Sequence, residues 1–254
     1  MTNNKSVQYG LAIHTSSPEL GLAISNFAGD NRCQIWNLGR DLATHLHQHI
    51  LDFIQPQTWA DLGFIAVAKG PGSFTGTRIG VVTARTLAQQ LDIPLFAIST
   101  LATMAWEERK KEEGRRKKEE GRRKKEEVEK ILLYPDISIA EKAIPAAGYA
   151  YALQMPAQRG QIFGAIYAVK KINLEPNNLG LIELLPDTVM TTESWQNILE
   201  SWQKPYHLIE VPNDLGASVS SLLELAYLEY QQGKRPNWSE ALPYYGQHPV
   251  KEKE

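Results

Sequence analysis

With 254 residues, 43% of them hydrophobic, the chain can bury one large core or two modest lobes, and disorder throughout is excluded. Its 27 basic and 29 acidic residues leave a net charge of -2, so any affinity for nucleic acid or an anionic membrane has to be local. No apolar run approaches the roughly 18 residues of a membrane span, the start "MTNNKSVQYG" lacks the apolar segment of a signal peptide, and the single Cys33 permits neither an internal disulfide nor a thiolate metal cage, which together predict a cytoplasmic protein with Cys33 as a small buried hydrophobe.

Residues 8–38 read as three short strands, "QYGLAIH", "LGLAISNF" and "CQIWNL", separated by turn signals at Ser16-Ser17-Pro18 and Gly29-Asp30-Asn31. That is an antiparallel meander. In "DLATHLHQHILDFI" Leu42, Leu46, Ile50 and Phe53 recur at helical spacing, and Asp41 sits in the first turn, where a carboxylate suits the dipole. "FIAVA" has the continuous apolar run of a buried parallel strand, "TRIGVVTARTLAQQL" predicts a helix, and "PLFAI" a second buried strand.

A similar order returns after residue 131. "YAYALQM", "QIFGAIYAV" and "LGLIELL" read as strands, with turns at 156–160 and 176–178. Thr192 is placed as the cap of the helix "ESWQNILES", "HLIEV" as a strand, and "SSLLELAYLEYQQ" as a helix closed by Gly233. Two βββαβα lobes are expected, at 1–105 and 132–254. This α/β plan is that of the duplicated actin-like ATPase (RNase H-like) superfold, and a fold by itself does not license a function.

Between the lobes, 106–131 reads as a charged low-complexity insertion or linker. Its core, "EERKKEEGRRKKEEGRRKKEEVEK" at 107–130, repeats R-R-K-K-E-E-G and is locally basic on an acidic remainder. The pairs Glu112 to Arg116, Glu113 to Lys117, Glu119 to Arg123 and Glu120 to Lys124 each contribute a few tenths of a kcal/mol to a helix. Gly114 and Gly121 oppose them by about 1 kcal/mol each. With no apolar residue at a heptad position before Val128, a coiled coil has nothing to bury. A solvated, fraying helix or disordered linker is expected; an arm whose Lys and Arg reach RNA phosphates is the second reading.

The loop Gly70-Pro71-Gly72-Ser73-Phe74-Thr75-Gly76 raises the question of a phosphate cradle. A Walker loop is excluded, because five residues separate Gly70 from Gly76 and Thr77 follows where the lysine belongs. A dinucleotide fingerprint would be one residue shorter and needs an acidic residue about 20 positions on; the nearest here is Asp92. Free amides at the helix start keep anion binding open as a minor reading. In the helix, Ile79, Val82, Thr86 and Gln90 lie along one stripe and Val81, Ala84, Ala88 and Leu91 along another, with Arg85 interrupting. A surface helix shows one polar face, so both faces are expected to be covered, one by the sheet and the other by a second helix or another chain. The glycines would let the chain turn tightly into the helix, with Ser73 or Thr75 as cap.

"GPGSFTGTRIGVVTARTLAQQLDIPLFAISTL" resembles the TsaB (YeaZ) family of bacterial tRNA-modification proteins. The likeness extends to "LAIHTSS", "RDLATHLHQHILDFI", "MPAQRGQIFGAIY" and "ALPYYGQHPV", nearly the whole chain outside 107–130. It implies a duplicated actin-like fold and a scaffold subunit without catalysis or cofactor. Its implied partners are a TsaD-type transferase and a TsaE-type ATPase, in a set that makes N6-threonylcarbamoyladenosine at tRNA position 37. The tRNA is then reached through the complex, and a homodimer is plausible when the partner is missing. The family's pairing surface, carried over, takes Leu42, Leu46, Ile50 and Phe53 together with Ile79, Val82, Thr83 and Thr86, and gives the glycine-rich loop a docking role.

The chain departs from the family at two places. His14 stands where an aspartate is usual, and Pro156-Ala157-Gln158-Arg159-Gly160-Gln161 stands where D-A-R-x-G-E is common. Both lost carboxylates are candidate magnesium ligands of an actin-like cleft, which weakens the alternative of an autonomous phosphotransferase and leaves Thr15, Ser16, Arg159 and Gln161 as cleft-lining candidates. A metallopeptidase is the other alternative: His45 and His49 share a helical face, but no glutamate lies between them, His47 points elsewhere and no third ligand is evident. The polar rim of a helix contact is the plainer reading, and no metal site is expected. Ser73 lacks a G-x-S-x-G elbow, and Tyr244, Tyr245 and the six tryptophans read as core or interface filler.

Overall fold

The computed structural model describes residues 8–133, 150–171 and 179–246. The meander is present as β1 (Tyr9–His14), β2 (Glu19–Ser25) and β3 (Asn31–Asn37), followed by α1 (Leu42–Ile54), β4 (Leu62–Ala68), α2 (Phe74–Leu91), β5 (Leu95–Ile98) and α3 (Thr100–Leu133). The second half comprises β6 (Ala150–Pro156), β7 (Gln161–Lys171), β8 (Leu179–Thr191), α4 (Thr192–Ser201), β9 (Tyr206–Glu210) and α5 (Val219–Gln231).

Strand order repeats between the halves. The first sheet runs β3-β2-β1-β4-β5 and the second β8-β7-β6-β9. In each, the first three strands are antiparallel and the fourth joins the first in parallel, β1 to β4 and β6 to β9. Parallel joining needs a crossover, which α1 and α4 supply.

Alternation along the strands feeds two cores at once. Leu11, Ile13, Leu20, Leu22, Ile24, Ile65 and Val67 face α1 and α2, with Leu42, Leu46, Ile50, Phe53, Val81, Ala84 and Ala88. On the opposite face Ala12, Ala23, Ala66 and Ala68 meet Val219, Leu222, Leu223 and Ala226 of α5. Small residues there let α5 approach closely. β4 is buried along its whole length, as its unbroken apolar run predicts. Helix α3 starts at the end of the first sheet, but its Leu101, Met104, Ala105 and Trp106 pack with Tyr151, Leu153, Met155 and Tyr167 of the second. On that sheet's other face, Trp195 of α4 lies over Gly164, where a Cβ would come within 2.9 Å of the indole, and its Nε1 donates to Gln154 Oε1 at 2.8 Å.

Several local expectations change. Thr191, not Thr192, caps α4, its hydroxyl accepting from Ser194 N at 3.1 Å. β8 runs well past "LGLIELL". Cys33 is exposed rather than buried, because β3 is the uncovered edge of its sheet and most of its residues face solvent. Of the two forms expected for 107–130, the segment is helix, continuing α3, but its first turns are held to the body rather than solvated. Ser221 Oγ donates to Glu107, Lys110 pairs with Glu224, and Trp106 Nε1 donates to Glu224 Oε2 at 2.9 Å. Of the expected intrahelical pairs, Glu113–Lys117 forms at 2.8 Å, beside an Arg109–Glu113 pair at 3.0 Å. The Glu119–Arg123 and Glu120–Lys124 pairs rest on side chains outside the described residues, as does the turn at 176–178. Among the described residues no helix is long and apolar enough to cross a membrane.

Candidate functional site

The inner side of the glycine-rich loop turns against the β1–β2 connection. Ser73 N donates to Ser16 O at 2.7 Å, and Gly70 O accepts from Thr100 N at 2.8 Å. Gly70 and Gly72 have φ of +97° and +153°, and a Cβ on Gly72 would lie 2.2 Å from Ser16 O. Glycine is therefore required at 72 by closeness as well as by backbone conformation.

Helix α2 begins earlier than the sequence predicts, at Phe74, so Phe74, Thr75 and Gly76 belong to its first turn. Ser73 is the cap, its hydroxyl accepting from Gly76 N at 3.2 Å. One turn apart, Gly76 and Gly80 form a seam on the buried side. A Cβ at 76 would sit 2.3 Å from Thr15 O, and one at 80 would sit 2.1 Å from Thr15 Oγ1. Thr15 Oγ1 donates to Gly76 O at 2.8 Å, and Thr77 Oγ1 to Ser16 Oγ at 3.3 Å.

Thr15 and Ser16 are therefore corrected from cleft-lining to buried packing residues: their side chains are hydrogen-bonded into the α2 seam. His14 beside them is fully buried with neither ring nitrogen hydrogen-bonded, and burial lowers its pKa to about 4. A neutral imidazole thus occupies the position at which the resemblance led to an aspartate being expected. Arg159 is exposed with φ +60°, and Gln161 opens β7 opposite Thr191. Neither lines the nearest cavity, a space of about 440 Å³ between Pro71–Phe74, Pro156–Gln158, Phe163 and Pro243–Gly246. The four cleft candidates are thus not brought together.

The interface candidates divide in the same way. Leu42, Leu46, Ile50 and Phe53 lie in the chain's own core, so α1 turns its apolar stripe inward and they are not free to meet a partner. Thr83 is also buried, while Ile79 is half-buried against that core. Val82 and Thr86 face solvent, Val82 with 59% of its surface open. The second face of α2, expected to meet a second helix or another chain, leaves Val82 and Thr86 exposed among the described residues.

That face carries a ridge whose full extent the stripe analysis missed. Phe74, Arg78 and Val82 follow one another at four-residue intervals, and Phe74 is also exposed. The Arg78 guanidinium lies 3.7 Å over the Phe74 ring and 4.9 Å over that of Tyr245, while its Nε donates to Tyr245 Oη at 3.1 Å. Cation–π contact holds the charge flat on the ridge. Tyr245 is half exposed and is positioned by its neighbour: Tyr244 N donates to Lys69 O and Tyr244 Oη to Asp187 O, each at 2.7 Å. The i, i+4, i+8 spacing of Phe74, Arg78 and Val82 was legible; the arrival of Tyr245, 167 residues away in sequence from Arg78, was not.

His45 and His49 are on α1 with ring centroids 6.4 Å apart, and the His49 ring lies tilted by 33° against Trp36 at 4.5 Å. Among the described residues no third ligand joins them.

A family model, "TsaD: tRNA N6-adenosine threonylcarbamoyltransferase", matches residues 45–117. Curated relatives are the "tRNA threonylcarbamoyladenosine biosynthesis protein TsaB" of Bacillus subtilis, 64% identical over 45 residues, and of Escherichia coli, 37% identical over 83. These alignments cover 18% and 28% of this chain and 20% and 36% of the relatives, so the matched region spans only a fraction of their length. Over the whole fold the chain is similar to "YeaZ from Pseudomonas aeruginosa", at a TM-score of 0.60 and 18% identity, covering 94% of this chain and 99% of the other. A second crystal structure from that organism, described as similar to "peptidase YEAZ", has a TM-score of 0.62 at 18% identity and covers 94% and 100%. In the matched stretches the chain is thus similar to proteins named TsaB, and in fold to YeaZ.

Proposed function

We propose that this chain, as a TsaB-like protein, is the non-catalytic scaffold subunit of a tRNA N6-threonylcarbamoyladenosine modification complex, pairing with a TsaD-type transferase and working with a TsaE-type ATPase. The observation that carries the reading is the contrast on α2. Its glycine side is closed onto Thr15 and Ser16, while its outer side presents Phe74, Arg78 and Val82 to solvent. The loop glycines are accounted for by packing against Thr15 and Ser16, and an apolar ridge anchored by an aromatic–arginine stack has the composition of interface hot spots.

The repeated strand order supports a duplicated actin-like fold. Nucleotide chemistry in such a fold needs acidic groups to hold magnesium; the buried neutral His14 and the Pro156 backbone turn supply none. The same ridge is two-fold self-complementary in principle, so a homodimer through α2 is the expected state when the partner is missing.

The test is sedimentation of the purified chain alone and with a TsaD-type subunit, for the parent and for Val82→Arg. A heavier species present in the parent and absent in the variant is expected. Identical monomers in every mixture would remove the docking reading and direct attention to the cavity beside the loop. A tRNA-modification assay with the partner subunits then reports whether activity depends on the chain.

A further inference from the structure

Helix α3 leaves the core at Trp106 and runs past the second sheet, where three metal-ligating side chains converge. Glu108 and Glu112 are one helical turn apart, and His207 comes from β9. One ligand atom from each lies within 4.8 Å of the other two. Glu112 Oε1 is 2.9 Å from His207 Nδ1, and its other oxygen, Oε2, accepts from Tyr151 Oη at 2.7 Å. Glu108 is the most enclosed of the three and holds Lys111 at 3.6 Å and Arg115 at 3.1 Å, both more than half exposed.

We propose that Glu108, Glu112 and His207 form a site for a divalent first-row transition metal of the zinc type, which clamps α3 to β9. Ligands bound at about 2.0–2.2 Å in a tetrahedral site lie about 3.3 Å from one another. The Glu112–His207 pair, at 2.9 Å, has only to open slightly to reach that spacing, and the remaining separations, none above 4.8 Å, have to close by at most about 1.5 Å, within the reach of a glutamate rotamer change. Tyr151 occupies the far oxygen of Glu112 and so turns the near one toward the imidazole, the work of an outer partner in a metal site. An imidazole with two carboxylates favours zinc, cobalt or manganese over magnesium and calcium, which take oxygen ligands. The cations paired with Glu108 are Lys111 and Arg115, while the neighbouring Arg109 pairs with Glu113. Exposed pairs of this kind are weak and yield to a compact dication.

The site uses both the insertion and the second sheet, and it stands whatever the partner of α2 is. The full chain, treated with chelator and dialysed, is titrated with Zn²⁺ against a chromophoric competitor and with Co²⁺ for its visible absorption bands. One equivalent is expected to bind, with affinity lowered about tenfold or more in both Glu108→Gln and His207→Ala and unchanged in the His45→Ala, His49→Ala double variant. Glu108→Gln leaves the Glu112–His207 pair in place, so its circular dichroism separates loss of a ligand from loss of fold. No saturable binding, parental affinity in either single variant, or loss of binding in the α1 histidine variant overturns the proposal.

Discussion

Replacing Gly80 by alanine puts two terms in direct competition. In an unobstructed helix the change is favourable by about 1 kcal/mol. At Gly80 the new Cβ would be 2.1 Å from Thr15 Oγ1 and 3.3 Å from Thr15 Cβ. Thr15 has no easy retreat, since it is fully buried and its hydroxyl is held by Gly76 O at 2.8 Å. Overpacking costs about 1–3 kcal/mol and the hydrogen bond contributes about 1 kcal/mol, so the steric side wins. We expect Gly80→Ala to destabilise the chain by about 1–3 kcal/mol, a fall of roughly 2–4 °C in Tm per kcal/mol for a protein of this size. Gly121→Ala is the control: no atom lies within 4 Å of its Cβ position, so the same exchange should raise the helicity of α3. Thr15→Ala in the Gly80→Ala background removes the obstacle, so the double variant should be less destabilised than the sum of the two, with coupling of about 1 kcal/mol or more. Thermal unfolding of the parent, the three single variants and the double variant, followed by circular dichroism, reads all of this. A Gly80→Ala variant at least as stable as the parent, with Thr15→Ala simply additive, would refute the close approach of α2 to the β1–β2 turn.

Val82→Arg should change Tm little, because the side chain is 59% exposed and surface substitutions stay within about 0.5 kcal/mol; sedimentation should nevertheless lose the heavier species. Arg78→Ala frees Phe74 and Tyr245 from their common stack and should weaken the same association, read by titration calorimetry, with no effect on folding beyond about 1 kcal/mol. Trp195→Ala removes a side chain that is 1% exposed and should cost about 3–5 kcal/mol in denaturant unfolding. His14 titrates near 4 when folded and near 6.5 when unfolded. The unfolded chain thus binds more protons between those values, and stability should fall as pH drops through that window, by about 2 kcal/mol at pH 5. A His14→Gln variant should lack this component of the pH dependence, and NMR of the parent should show one imidazole that stays neutral down to about pH 5.

What the sequence made legible was governed by short-range pattern. Alternation and apolar runs located β1, β2 and β4, and the four-residue apolar spacing located α1, because burial on two faces or one leaves a local imprint. Direction did not follow from pattern. The stripe Leu42, Leu46, Ile50, Phe53 says only that α1 buries one face; that the face meets the chain's own sheet rather than a partner is a tertiary fact. The charged repeat likewise hid its anchored part, since Glu107, Lys110 and Glu112 carry the same letters as the solvated turns beyond them and differ only in facing Ser221, Glu224, Tyr151 and His207.

The glycines of the 70–76 loop show how one pattern supports two opposite readings. Glycine is needed where a backbone nears a phosphate and equally where it nears another backbone, and both leave the same spacing in sequence. What separates them is the continuation of the spacing into the helix. A cradle ends at the helix start, so nothing requires glycine one turn further in; a packed seam continues, and Gly80 follows Gly76 at the interval that keeps both on one face. The outer face is then fixed by geometry. If 76 and 80 face inward, 74, 78 and 82 face out, and the apolar Phe74 and Val82 sit at positions that the chain's own packing does not require to be apolar. Their presence there is the physical ground for reading α2 as a surface built to meet another protein.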